Sequence, residues 1–91
     1  MPQGKMATST IKSYGETTIH MQKFDNTSTG YITTNIPLAK YVGAYPENWG
    51  AGVLITPYND SSNLGLKVSR ITDGQAFTDT ALDVCVLVRD K

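Results

Sequence analysis

Apolar residues recur along this chain mostly at every second position, the spacing of strands half-buried in a sheet. Its clearest instance is the last element. Leu82, Val84, Val86 and Val88 fall on one face of Leu82–Arg89, and Cys85 and Leu87 fall on the other. A run apolar on both sides for most of its length belongs in a sheet interior, and this one closes the domain. Leu64, Leu66 and Val68 mark the core side of a second such strand, Leu64–Ile71, with Lys67 and Ser69 outward. Just before it, Ala51–Tyr58 reads as a central strand with Val53, Leu54 and Ile55 as core residues. It leaves the core at Pro57 and opens into the turn formers Asn59 to Asn63.

Upstream the pattern is weaker. Thr8–Tyr14 predicts a strand with Ile11 as its anchor, followed by a turn at Gly15-Glu16. Thr17–Phe24 alternates, with Ile19 and Met21 on one side and Thr18, His20 and Gln22 on the other. The polar cluster Asp25–Gly30 predicts a hairpin turn into Tyr31–Ile36, whose end is set by Pro37. Leu38–Tyr45 carries spaced apolar residues broken by Gly43, and Pro46–Gly50 reads as a loop holding the single tryptophan. Thr72–Gln75 predicts a second hairpin turn, Ala76–Thr78 a short strand and Asp79–Ala81 a loop. Together these predict an all-β fold: a single antiparallel β-sandwich, jelly-roll-like, of about seven or eight short strands. Residues 8–91 form the domain, and residues 1–7 are a flexible N-terminal arm with little to bury.

Composition sharpens that picture. Threonine is the commonest residue, Glu and Gln are scarce, and no window holds the i, i+3, i+4, i+7 apolar stripe of a helix. At 91 residues with a single cysteine, the chain buries only about 60% of its unfolded surface. Stability beyond that modest core is then expected from a well-formed sheet or from self-association. The formal net charge of zero, with signs mixed along the chain, argues against nucleic acid and against a polybasic membrane patch. No apolar run approaches the roughly 20 residues of a membrane span.

Catalytic signatures are missing from the sequence. His20, the single histidine, has no partner at fixed spacing and is expected on an outward strand face rather than in a triad, which needs an oriented base and an oxyanion site. Glu16 and Glu47, the only glutamates, both fall in predicted loops, and a domain this small has little room for a glycosidase cleft between them. Asn59–Asn63 lacks the alternating acids and terminal glutamate of a calcium loop, and Gly50-Ala51-Gly52 lacks the lysine of a phosphate loop. Cys85, inside an apolar run, is expected to be a small core residue. No cofactor or metal is expected. The aromatics Tyr41, Tyr45, Trp49 and Tyr58 lie close together in sequence. Core packing accounts for most such residues, yet exposed aromatic faces beside amides and carboxylates are also what saccharides bind. Tyr45, Asn48, Trp49, Tyr58, Asn59 and Asp60 are therefore the candidate contact residues, with the Tyr45–Gly50 loop ranked first.

From Ile36 onward, the order of features resembles the C-terminal β-sandwich domains of bacteriophage tail fibres and related virion proteins. The residues that carry the resemblance are Ile36-Pro37-Leu38, then Val53–Asn59 with its Thr56-Pro57-Tyr58-Asn59 end, then Val68–Ile71 with Gly74 and Phe77, and the terminal Leu82–Val88. The resemblance implies a non-enzymatic virion structural domain of a tail fibre, baseplate or appendage. It also implies assembly as a homo-oligomer, a trimer first of all, or with other virion proteins. Host-surface saccharide or protein contact would fall to the loops. A freestanding carbohydrate-binding or adhesin module is the alternative.

Overall fold

The computed structural model of the protein describes residues 7–14, 17–48 and 52–90. Seven strands carry the fold: β1 (Ala7–Tyr14), β2 (Thr17–Asp25), β3 (Tyr31–Pro37), β4 (Tyr41–Pro46), β5 (Val53–Asp60), β6 (Asn63–Arg70) and β7 (Asp83–Arg89). One turn of 3-10 helix, Leu38–Lys40, joins β3 to β4. A four-stranded sheet in the order β1-β2-β7-β4 faces a three-stranded sheet in the order β3-β6-β5, and every pairing is antiparallel. This is the small β-sandwich that the alternation predicts. The expected N-terminal arm (apart from Ala7, which opens β1), the turn at Gly15-Glu16, and Trp49 with Gly50 and Ala51 lie outside the described residues.

The core forms where the inward faces of the central strands meet. Val84, Val86 and Val88 of β7 and Leu64, Leu66 and Val68 of β6 are buried, joined by Phe24, Ile32, Ile36 and Leu82. Each large side chain taken fully out of water contributes about 1.5–3 kcal/mol before chain entropy is set against it. β6 and β7 are the strands that the sequence marks most strongly, and both are flanked on each side by a partner strand.

Several expectations need correcting. β2 and β3 do not form a hairpin, because they belong to different sheets. Asp25–Gly30 instead carries the chain across the sandwich, and a polar turn cluster serves either purpose. The crossing is fastened at both ends. Asn26, almost fully buried, donates its backbone N–H to Leu82 O (2.9 Å) and its Nδ2 to Phe77 O (2.7 Å) and Asp79 O (3.2 Å). Gly30 adopts φ 77° and accepts the Val68 N–H at 2.7 Å. A Cβ there would sit 3.0–3.1 Å from Val68 O, Ala76 Cβ and Phe77 O, so the position excludes larger residues.

β5 is an edge strand and not a central one, and Pro57 does not end it. The strand runs on to Asp60 and reverses through the two residues Ser61-Ser62, at φ 54° and 73°. Positive φ at both turn positions matches the twist of a tight hairpin, a role usually given to Asn-Gly. Here Asn59 Oδ1 accepts the Ser62 N–H at 2.8 Å, and Ser62 O accepts the Leu38 N–H at 3.0 Å. Leu54 is 52% exposed on the outer face, so of the expected core trio only Val53 and Ile55 pack against the core. A proline is tolerated at an edge because a missing donor there breaks no interior ladder. Likewise Pro46 closes β4 rather than opening a loop, and Ala76–Thr78 yields a single bridge, Ser69 to Ala76, in place of a strand.

Candidate functional site

The phase of β2 decides where the site lies. Register places His20 opposite Val88, Gln22 opposite Val86 and Phe24 opposite Val84. Phe24 and all three valines are buried, so the even-numbered face of β2 is the inner one, and His20 and Gln22 continue it towards one end of the sandwich. The expectation of an outward His20 is thereby overturned. It is Ile19 and Met21 that face away from the core, beside Arg89 and Leu87. Phe24, the bulkiest apolar residue of the strand, was the signal that fixes this phase. Ile19 and Met21 outweigh it only when residues are counted rather than weighed by volume.

Beyond the last core valine the two sheets leave a cleft of about 340 Å3. Val88, Ile36 and Pro37 supply its apolar lining, and His20, Gln22 and Asn35 contribute polar side chains. Charge enters from Lys40, on the 3-10 turn, and from Arg89 and Asp90 where β7 runs out. Asp90 is engaged by backbone: its Oδ1 accepts the Thr18 N–H at 3.0 Å, and its own N–H donates to Thr18 O at 3.1 Å. Lys40 Nζ donates to the Asp90 carbonyl at 3.3 Å. Among the described residues the ion pairs are Lys23–Glu47 and Arg70–Asp73, so none of their carboxylates neutralises Lys40 or Arg89, the latter bordering the cleft from the outward side of β7. The Lys40 ammonium, one carboxylate already accepting a backbone N–H, carboxamides and an apolar lining suit a small, polar, anionic guest.

The sequence-chosen contact residues do not converge on this cleft or on one another. Tyr58 lies on the outer face of the three-stranded sheet. Its ring covers Gly65, where a Cβ would collide with it, and meets Tyr31 edge-on at 6.1 Å between centroids. Burial chiefly, then the nearby Asp60 charge, raises the Tyr58 hydroxyl above its ordinary pKa. Asn59 is occupied by the Ser61-Ser62 turn. Tyr45 lies on the outer face of the four-stranded sheet, opposite Cys85 in register. Asn48 works as a clip: its Nδ2 donates to Ala81 O and its Oδ1 accepts the Asp83 N–H, both at 2.7 Å. Trp49 lies outside the described residues.

Cys85 is buried as expected, but on the outward side of its strand rather than in the inter-sheet core. Its Sγ donates to Glu47 Oε2 at 3.1 Å, while Glu47 Oε1 takes Lys23 Nζ at 2.8 Å. Desolvation first, and the hydrogen bond to Glu47 second, push the thiol pKa up to about 11. A thiol held in its neutral form is a poor nucleophile at ordinary pH. Lys23, and Cys85 after it, hold the Glu47 carboxyl below the usual carboxylate range. The row Lys23–Glu47–Cys85 is a cover for the sheet.

No family model, curated protein or solved structure matches the chain.

Proposed function

We propose that this chain is a non-enzymatic structural domain of a bacteriophage virion, from a tail fibre, baseplate or related appendage, that works by assembling with copies of itself. The observation that supports this reading is the set of exposed apolar residues on both outer sheet faces. Tyr31 (39% exposed) and Leu54 (52%) lie on the three-stranded side, and Val42 (47%) and Tyr45 (43%) on β4 of the four-stranded side. On the four-stranded side, Met21 and Leu87 sit side by side on neighbouring strands and are half-buried by their own chain. Single exposed apolar residues are ordinary on any surface. Contiguous ones across two strands fit a face that a neighbouring subunit covers. A small domain without a disulfide also gains stability from association by mass action.

A freestanding carbohydrate-binding or adhesin module is the second reading, favoured by the cleft at the His20 end. Light scattering coupled to size exclusion separates the two. The fibre reading expects the mass of three chains, and a strict monomer at high micromolar concentration would remove it in favour of the module.

A further inference from the structure

We propose that the cleft between β2, β7 and the β3–β4 connection binds an acidic sugar, a hexuronic acid residue of a surface polysaccharide. The inference deepens the host-contact part of the reading above and moves that contact from the Tyr45–Gly50 loop to the inner face of β2. Size comes first. A volume of about 340 Å3 lies at the small end of ligand pockets, roughly 300–1,000 Å3, and has room for one or two sugar rings. Chemistry comes next. Val88, Ile36 and Pro37 offer apolar surface to the C–H face of a ring, which an inorganic anion would not use. Gln22 and Asn35 carry carboxamides able both to donate to and to accept from ring hydroxyls. The carboxylate of the guest is drawn by Lys40, whose Nζ, among the described residues, holds a backbone carbonyl at 3.3 Å and no carboxylate. The lining carboxylate among the described residues, on Asp90, already accepts the Thr18 N–H and so opposes the guest less than a bare one would.

The test is a titration of the full chain with glucuronic acid, glucose and acetate, followed by two-dimensional amide NMR. Glucuronic acid is expected to bind in the millimolar range and to move the Gln22 and Asn35 side-chain amide signals. Glucose and acetate, each lacking half of the recognition, should bind at least tenfold more weakly. Lys40→Met should weaken glucuronic acid at least tenfold, while Lys67→Met, on the outer face of β6, should leave it unchanged. Absence of saturable shifts with glucuronic acid, equal binding of glucose, or an unaffected Lys40→Met variant would each overturn the proposal. The mass measurement keeps the two ideas apart. A trimer that ignores the sugar defeats the cleft alone, and a monomer that binds it defeats the fibre reading alone.

Discussion

β6 and β7 solve one problem in two ways. Each is an interior strand of its sheet, and each turns an apolar row towards the core. In a two-layer sandwich the opposite face of such a strand has no second sheet to cover it. Both strands place a small residue at the exposed centre and cover it with a neighbour's side chain. In β6 the small residue is Gly65 and the cover is the Tyr58 ring, braced edge-on by Tyr31. In β7 it is Cys85, and the cover is the Glu47 carboxylate, itself held by Lys23. An aromatic cover works chiefly by the area it buries. A hydrogen-bonded carboxylate cover ties the sheet to the ionisation of the groups beneath it. The lesson is that a strand can be buried on both faces for different physical reasons, and only perturbation tells them apart.

The largest effect should come from the inner faces, where the two strands behave alike. Leu66→Ala empties a fully buried position and is expected to lower unfolding free energy by about 2–5 kcal/mol in a urea titration. A loss below about 1 kcal/mol would mean that the two sheets do not share one core. Next comes Gly65→Ala, whose new methyl displaces the Tyr58 ring, with an expected loss of about 1–3 kcal/mol. In a double-mutant cycle, Tyr58→Ala should then cost little more in the Gly65→Ala background than it spares, giving a clear coupling energy. Additive losses would show that the ring does not cover the glycine. The smallest effect separates the covers by pH. The Cys85 thiol titrates at about 11 in the fold against 9.0 when unperturbed, so the unfolded chain releases its proton first. That contribution is intact below pH 9 and declines as pH rises towards 11, with about 1 kcal/mol lost by pH 10. Cys85→Ala should flatten this decline relative to the parent in melts at pH 8 and pH 10. An identical pH dependence in the two proteins would rule out the carboxylate-covered thiol.

How much of this could be read in the chain depends on where the information resides. The inward rows of β6 and β7 are local alternations of large apolar residues, and they carry through intact. The pairing of strands is not local. Asp25–Gly30 has turn composition whether the chain doubles back or crosses to the other sheet, and only Asn26 and Gly30, fastened to residues far along the chain, settle which. Leu54 reads as core because its neighbours Val53 and Ile55 are apolar, but an edge strand has one covered face and its alternation must be taken literally. The cleft was hidden for a related reason. His20 and Gln22 are polar residues on an inner face, and they become a site only because the core valines of β7 stop at Val88. The contact residues chosen by type, Tyr45, Asn48, Tyr58 and Asn59, are instead occupied in covering strands and closing turns.

The placement of the prolines has a consequence for how the molecule behaves in a crowd. Of the four strands at sheet edges, β3 holds Pro37, β4 holds Pro46 and β5 holds Pro57, while β1 holds none. A proline interrupts the row of donors that a foreign strand would need to zip onto an edge. Uncontrolled growth of sheet into sheet, the route to fibrillar aggregates, is hindered by proline along three borders, while β1 instead departs from regular pairing between Thr10 and Lys12. The β1 border therefore relies on an irregular backbone, and the other three on a missing donor, to turn a foreign strand away.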